Sequence, residues 1–126
     1  MAVDLESLAR AEYVLLTTFR KDGTAVGTPV WVARDGGELA VWTVTDSWKV
    51  KRLRRNPVVL VRACDFRGKP KGAEAGGKAR VLDGEATERV RTLLSAKYGI
   101  KGRLAMTASK LRRGRTGTVG IAIALD

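Results

Sequence analysis

The sequence lacks histidine altogether and has a single cysteine, Cys64, among its 126 residues. Without histidine the chain can form no Ser-His-Asp triad or Cys-His dyad, and it lacks the commonest ligand of zinc, iron and copper. One cysteine cannot supply an intrachain disulfide, a zinc knuckle or a CxxC redox pair. No metal site is therefore predicted, and a lone thiol is compatible with a reducing cytosol.

Acidic residues and long apolar runs are also scarce. The 24 Lys and Arg residues exceed the 13 Asp and Glu residues, which gives a net charge of +11. Such an excess implies an anionic partner or a solvated basic surface. Candidate partners are nucleic acid, an acidic membrane and a small phosphorylated ligand. The longest apolar runs, Pro57–Val61 and Ile121–Leu125, are too short to span a membrane, and the N-terminus does not resemble a signal peptide. We expect a soluble, cytoplasmic protein.

The apolar fraction of 44% is ordinary for a globular protein. The length fits one domain over residues 1–126 that buries roughly two thirds of its unfolded surface. Asp22-Gly23 lies between two apolar runs and is a strong hairpin signal, and Pro29 inside the second run predicts a sheet edge or a bulge. The predicted strands are Tyr13–Phe19, Thr24–Arg34, Glu38–Val44, Pro57–Asp65, Lys78–Leu82 and Gly117–Leu125.

Helical periodicity predicts three short helices, at Asp4–Glu12, Asp46–Arg55 and Glu85–Tyr98. Gly99 is a candidate C-terminal cap. Two segments, Phe66–Gly77 and the basic Ile100–Thr116, are predicted as loops. Tight turns imply antiparallel pairing, and small antiparallel sheets usually close to hide their edges. The expected fold is a mainly β, six-stranded antiparallel barrel.

Five of the seven residues in Lys49–Arg55 are basic, and they follow a strand end. A helix N-terminus attracts anions through its free N–H groups and its dipole, and Ser47 adds a hydroxyl. A cation in the first turn lowers the stability of a helix by roughly a few tenths of a kcal/mol. Lys49 is therefore unexpected at this position unless an anion binds there. A solvated basic helix face is the alternative, above all for Arg52 and Arg54.

A second feature pairs Thr28-Pro29-Val30-Trp31 with Trp42-Thr43 on the next strand. A planar ring lying against these strands would meet backbone amides and apolar side chains. Tryptophans are mostly structural, so the spacing alone favours an ordinary barrel core.

The motifs along the chain are, in order, a DG turn, GTPVW, VWT, DSWKxKRxxRNP, CDFRGKP, ARVLDG and LLSAKYG. Their order nevertheless resembles one family, the flavin/deazaflavin oxidoreductase superfamily. That superfamily includes the pyridoxamine 5′-phosphate oxidase-like split β-barrels, and the sequence is most similar to its coenzyme F420-dependent branch. The resemblance covers nearly the whole chain.

The resemblance implies a split β-barrel homodimer with two cofactor sites at the interface. It places the ring along the second and third predicted strands and the phosphate where the third strand meets its helix. The implied cofactor-binding residues are Thr28, Pro29, Val30, Trp42, Thr43, Ser47, Lys49, Lys51, Arg55 and Asn56. Many relatives carry arginine one or two positions before the phosphate lysine, where this chain has Trp48 and Ser47. That departure leaves the choice between F420 and FMN open, and Trp48 is a candidate to cover the cofactor or pack at the dimer seam.

The basic segment Lys101–Arg115 has six cations and no acid. A broad basic groove suits the phosphate and glutamate carboxylates of the F420 tail, which favours F420 over FMN, although a solvated loop is the alternative. The substrate pocket is expected from Phe66–Gly77, Ile100–Thr116 and the partner subunit. Tyr98 is a candidate proton donor by its residue type alone, and a structural tyrosine in the core is the favoured interpretation. Cys64 is expected to be a buried strand residue.

The sequence thus predicts an F420-dependent oxidoreductase that transfers hydride between the deazaflavin C5 and an electron-poor organic substrate. An FMN-binding oxidoreductase and an F420-binding protein without turnover are alternatives within the same fold. A basic nucleic-acid-binding barrel is a further alternative, motivated by the net charge of +11. Surface aromatics for base stacking are too few to favour it.

Overall fold

The computed structural model of the chain describes residues 4–114 and 117–126, without the side chains of Lys110 and Arg113. These residues form three helices and seven strands. In chain order they are α1 (Leu5–Arg10), β1 (Tyr13–Phe19), β2 (Ala25–Val30), β3 (Val32–Asp35), β4 (Glu38–Val44), α2 (Trp48–Arg55), β5 (Val58–Cys64), β6 (Ala75–Val81), α3 (Gly84–Arg113) and β7 (Thr118–Leu125). None of the helices in the described ranges is long and apolar enough to cross a membrane.

The strands form one antiparallel sheet in the order β2-β1-β5-β6-β7-β4-β3. Although β2 and β4 are far apart in that order, they contact each other, so the sheet curls into a half-barrel. The prediction of a mainly β, antiparallel fold is confirmed. The predicted count of six strands is wrong, since the described part of the chain has seven.

The extra strand comes from residues 24–34, which were predicted as one strand and form two. Val30 ends β2 opposite Val14 of β1, and Val32 begins β3 opposite Val41 of β4. Trp31 between them belongs to neither strand. Because Val30 and Val32 are both buried, the apolar pattern runs through the break and gives no sign that the chain changes partners.

Other local predictions are confirmed. The β1–β2 turn contains Gly23 at φ 89°, where a residue without Cβ is favoured. Pro29 lies on β2, an edge strand of the sheet, where its missing N–H is tolerated. The helix predicted at Asp46–Arg55 is observed as α2, and its N-cap is Ser47, whose Oγ accepts a hydrogen bond from the Val50 N–H at 3.4 Å.

Two predicted loops are partly regular. β6 begins at Ala75, three residues before the predicted strand, and a Cβ on Gly77 would lie 2.6 Å from the Ala124 carbonyl oxygen of β7. Gly77 therefore permits close contact between strands rather than marking a loop. The segment 100–116 is also not irregular, since helix α3 continues through Arg113; residues 115 and 116 lie outside the described residues.

Helix α3 consists of two segments separated by Gly99, whose φ of 61° and ψ of −137° are not helical. Residues 84–98 form the first segment, as predicted, and residues 100–113 form the second. A Cβ on Gly102 would lie 3.0 Å from the Leu94 carbonyl oxygen and 3.0 Å from the Tyr98 Cβ. The small residue lets the second segment pack closely against the first.

The core has two parts. The larger one fills the inside of the curled sheet, with Leu16, Val61 and Ile121 fully buried. The smaller one packs Val90 and Leu94 of the first α3 segment against Ala33, Ala40 and Met106. Burying a side chain such as Leu94 stabilises the fold by about 1.5–3 kcal/mol. The smaller core also supports Trp31 and Trp42, which line the site described next.

Candidate functional site

A cleft of about 490 Å³ lies where the curled sheet brings β2 beside the end of β4. Its volume is in the range of small-molecule and cofactor sites. One wall is formed by Thr28, Pro29 and Val30 of β2. Trp42 and Thr43 of β4 form the facing part, although β2 and β4 are not hydrogen-bonded neighbours.

Lys49, in the first turn of α2, also lines this cleft. It is half-buried, and its ammonium forms no hydrogen bond or ion pair with any described residue. Burial, with a smaller contribution from the Arg52 guanidinium, lowers the pKa of Lys49 below its usual value of 10.5. A desolvated ammonium without a counter-ion is costly, so this position favours binding of an anion.

Two further polar groups in the cleft have no partner among the described residues. The Trp42 Nε1 and the Ser109 Oγ are both buried and form no hydrogen bond there. Most buried polar atoms in proteins are satisfied, so such groups call for an explanation. An indole N–H and a hydroxyl beside apolar walls can bind the polar edge of a ring or an anionic oxygen. The residues present therefore fit a flavin-type cofactor with a phosphate.

The β2–β3 break is held in place by the first α3 segment. The Trp31 and Tyr98 rings stack at 4.3 Å between centroids and 11° between planes. The Tyr98 hydroxyl donates to the Glu12 carbonyl oxygen at 2.6 Å and accepts from the Val32 N–H at 3.1 Å. Burial raises the pKa of Tyr98 to about 12. Tyr98 is thus a structural residue that positions Trp31, one wall of the cleft.

Lys97 strengthens the same junction. Its ammonium donates to the carbonyl oxygens of Ala9, Ala11 and Val32 at 2.8, 2.6 and 2.6 Å. Burial lowers the pKa of Lys97 to about 8. Two of these carbonyls belong to α1 and its C-cap and the third to β3, so one donor joins α1, β3 and α3 behind Trp31.

Six of the residues predicted for the site lie together in the cleft. They are Thr28, Pro29, Val30, Trp42, Thr43 and Lys49. The other five do not line it. Ser47 caps α2, Arg55 donates to the Phe19 carbonyl oxygen at 3.0 Å, and Asn56 caps the C-terminal end of α2 and accepts from the Val58 N–H at 3.1 Å. Trp48 is 70% exposed, and the Lys51 Nζ lies 4.5 Å from its ring centroid.

The second α3 segment forms a wall of the cleft, which is lined by Ala105, Ala108, Ser109 and Arg112. Of these four residues, only Arg112 was a binding candidate from the sequence. Their spacing of i, i+3, i+4 and i+7 is that of one helix face, so the signal was present in a segment interpreted as a loop. The basic segment Lys101–Arg115 was assigned to the cofactor tail. Of its cations whose side chains are described, only Arg112 lines the cleft. Lys101 pairs with Glu12 at 3.1 Å, Arg103 lies elsewhere on the surface, and the Lys110, Arg113 and Arg115 side chains lie outside the description.

Three other expectations concern the surroundings of the cleft. No residue of the predicted substrate loop 66–77, all of which is described, lines it. Cys64 is buried in β5, as expected, and burial raises the pKa of its thiol. Across the described residues, no group of three or more Cys, Asp or Glu side chains is arranged to hold a metal ion.

Comparison with known proteins shows which family and which solved structures the chain is similar to. The family model for pyridoxamine 5′-phosphate oxidase matches residues 4–124. An F420 reductase of known structure is 21% identical, with a TM-score of 0.69 over 100% of this chain and 96% of that chain. A conserved hypothetical protein from Mycobacterium tuberculosis is 23% identical, with a TM-score of 0.72 over 99% of this chain and 82% of that chain.

A third solved structure, an FAD- and heme-binding protein from Mycobacterium smegmatis, is 20% identical, with a TM-score of 0.69 over 99% of this chain and 68% of that chain. No curated protein sequence matches the chain. At these identities the solved structures establish the fold and leave the ligand of the cleft to be argued from its residues.

Proposed function

The chain belongs to the pyridoxamine 5′-phosphate oxidase family, and from that premise we propose that it is an F420-dependent oxidoreductase with the deazaflavin in the cleft. The observation that carries the proposal is Lys49, a half-buried ammonium that forms no ion pair with any described residue. It lies in the same cleft as the Trp42 Nε1 and the Ser109 Oγ, two buried polar atoms without a hydrogen-bond partner in the described part of the chain.

In this proposal the ring lies between β2 and the end of β4. Pro29, Val30 and Trp42 give it apolar surface, and Thr28 and Thr43 are polar neighbours at its edges. The phosphate group binds at Lys49, next to the N-terminus of α2, where free N–H groups and the helix dipole favour an anion. Charge-assisted hydrogen bonds of this kind are the stronger ones in proteins.

F420, when bound and reduced, supplies hydride from C5 to an electron-poor organic acceptor. This chain binds and orients the reacting groups and excludes water from them. Donor and acceptor atoms must be held about 3–3.5 Å apart. Trp31, fixed by its stack on Tyr98, and the small residues Ala105 and Ala108 leave an apolar, open side of the cleft for the acceptor.

F420 is favoured over FMN because the cleft contains two cations, Lys49 and Arg112, and no acidic residue among those described. The deazaflavin tail has a phosphate and carboxylates, whereas FMN has one phosphate. The F420 reductase among the similar structures supports the same choice. The FAD-binding structure keeps a flavin as the second candidate.

The test is equilibrium titration of the purified protein, produced in a host without F420, with F420 and separately with FMN. We expect saturable F420 binding and FMN binding at least about tenfold weaker. Lys49→Gln should lose about tenfold or more in F420 affinity, because a charge-assisted hydrogen bond contributes about 1.5–3 kcal/mol.

Arg54→Gln is the matched control, since Arg54 is exposed on the same helix and does not line the cleft. Its affinity should equal that of the wild type. A protein isolated yellow, with flavin fluorescence, would favour FMN. Binding of neither cofactor overturns the proposal. Oxidation of reduced F420 by a panel of electron-poor acceptors separates an enzyme from a protein that only binds the cofactor.

The proposal includes a second copy of the chain. Ile100, Leu104 and Leu111 are 77, 66 and 85% exposed, and their spacing places them on one face of the second α3 segment. Leucine and isoleucine rarely form an exposed stripe without a partner surface. Ala108 lies beside this stripe and lines the cleft, so a copy seated on it would border the cofactor.

Sedimentation of the wild type should give the mass of a dimer. Leu104→Glu should give a monomer at the same concentration, whereas Arg103→Glu, a charge change at a neighbouring exposed position, should remain dimeric. A wild-type protein that is monomeric at micromolar concentration contradicts this part of the proposal.

A further inference from the structure

The charge of the cleft is unbalanced on two of its walls. Lys49 comes from α2 and Arg112 from the second α3 segment, and both line the cleft. Neither forms an ion pair with a residue that the structure describes. The cleft lining in the described ranges includes no aspartate or glutamate to neutralise them.

The register of the sheet brings together two positions that are close in sequence to these cations. Val44, the last residue of β4, pairs with Thr118, the first residue of β7, and both line the cleft. The pairing continues in a hydrogen bond from the Thr45 N–H to the Gly117 carbonyl oxygen at 3.0 Å. Lys49 follows Val44 by five residues and Arg112 precedes Thr118 by six, so both cations are close in sequence to this corner of the cleft.

Ser109 adds a polar group one helical turn before Arg112. Its Oγ is buried in the cleft and has no hydrogen-bond partner in the described part of the chain. An i, i+3 spacing places the two side chains on one helix face. A buried hydroxyl left without a partner costs free energy, and an incoming anionic oxygen removes that cost.

We propose that Ser109 and Arg112 form a second anion-binding wall of the cleft and hold the phosphate end of the cofactor together with Lys49. The inference rests on the proposed function and deepens it. The α2 helix supplies one cation to this corner, and α3 supplies the other. The two walls together select a phosphorylated cofactor over the bare chromophore.

The experiment compares two ligands that share a ring. F420 has the phosphate and its tail, whereas FO, the free chromophore 7,8-didemethyl-8-hydroxy-5-deazariboflavin, has the ring and the ribityl chain without any phosphate. Arg112→Gln should weaken F420 binding about tenfold and leave FO binding unchanged. Ser109→Ala should weaken F420 binding about threefold, while the thermal midpoint of the free protein stays the same or rises.

Arg103→Gln is the matched control, because it removes the same charge from the same helical segment on a surface away from the cleft. It should bind both ligands as the wild type does. Equal losses of F420 and FO affinity in Arg112→Gln would mean that Arg112 supports only the fold of the wall, and they overturn the inference. Unchanged F420 affinity in that variant also overturns it.

Failure of the proposed function is distinguishable from failure of this inference. If the wild type binds no F420, the thermal midpoint is measured with sodium pyrophosphate as the probe. Stabilisation by pyrophosphate that is lost in both Lys49→Gln and Arg112→Gln, and kept in Arg103→Gln, retains the two-walled anion site without the F420 assignment. No stabilisation of the wild type overturns both.

Discussion

The two segments of α3 belong to one helix and have different surroundings. In residues 84–98, Val90 and Leu94 are fully buried, and Lys97 and Tyr98 bond to backbone atoms of other elements. In residues 100–113, Met106 is buried, but Ile100, Leu104 and Leu111 are exposed, and Ser109 and Arg112 line the cleft. The first segment stabilises the fold, and the second is available for ligands and for another chain.

This difference begins at Gly99. Its backbone conformation, φ 61° and ψ −137°, is one that residues with a Cβ rarely adopt, and it redirects the helix. Without that break the second segment would continue along the axis of the first and would not lie beside β4. A single flexible position thus separates the part of the helix that forms the core from the part that forms the site.

The largest expected contrast is between two leucines. Leu94→Ala should lower the free energy of unfolding by about 3 kcal/mol, because it leaves a cavity in a fully packed core. Leu104→Ala, at a side chain that is 66% exposed, should cost less than about 0.5 kcal/mol in the monomer. Urea denaturation at dilutions that keep the protein monomeric measures both. Equal losses would mean that the two segments are packed alike.

A smaller contrast is expected between two lysines. Lys97→Met should lower the free energy of unfolding by about 2 kcal/mol, because three carbonyl oxygens lose a donor. Lys101→Met removes an exposed ion pair with Glu12 and should change stability too little to resolve. The comparison is made by urea denaturation at pH 7. A Lys97→Met variant as stable as Lys101→Met would show that the junction behind Trp31 does not depend on Lys97.

The smallest effect is a pH dependence of F420 binding that arises from Lys49. Burial lowers the pKa of Lys49 below its usual value of 10.5, so this side chain loses its proton at a lower pH than an exposed lysine does. The affinity for anionic F420 should therefore fall, by roughly tenfold, as pH rises through the pKa of Lys49. Lys49→Arg should remove this fall, because a guanidinium keeps its charge. A decline of the same size in Lys49→Arg assigns the pH dependence to another group.

Local signals in the sequence were enough for β1, β4 and α2. Runs of apolar and β-branched residues next to turn signals predict Tyr13–Phe19 and Glu38–Val44, which are the observed strands. Ser47 and Asn56 mark both ends of α2 as caps. Lys49, which lines the cleft, was identified from a local signal as well, because a cation in the first turn of a helix is unusual without an anion.

The errors arose where the structure depends on partners distant in sequence. Nothing local shows that the chain changes partners at Trp31, since buried valines flank it on both sides. Gly76 and Gly77 resemble loop residues in the sequence. Only the close approach of the chain's C-terminal residues shows that they belong to a strand. The face with Ser109 and Arg112 has helical spacing, but its cations and exposed leucines obscured it.

The structure of the protein bound to F420 is the most direct test of the central claim, that the cofactor phosphate binds where β4 meets α2. We expect a phosphate oxygen at about 2.7–2.9 Å from the Lys49 Nζ, with the ring between Pro29 and Trp42. A phosphate bound elsewhere, with Lys49 still unpartnered and the cleft filled by other groups, would contradict the account.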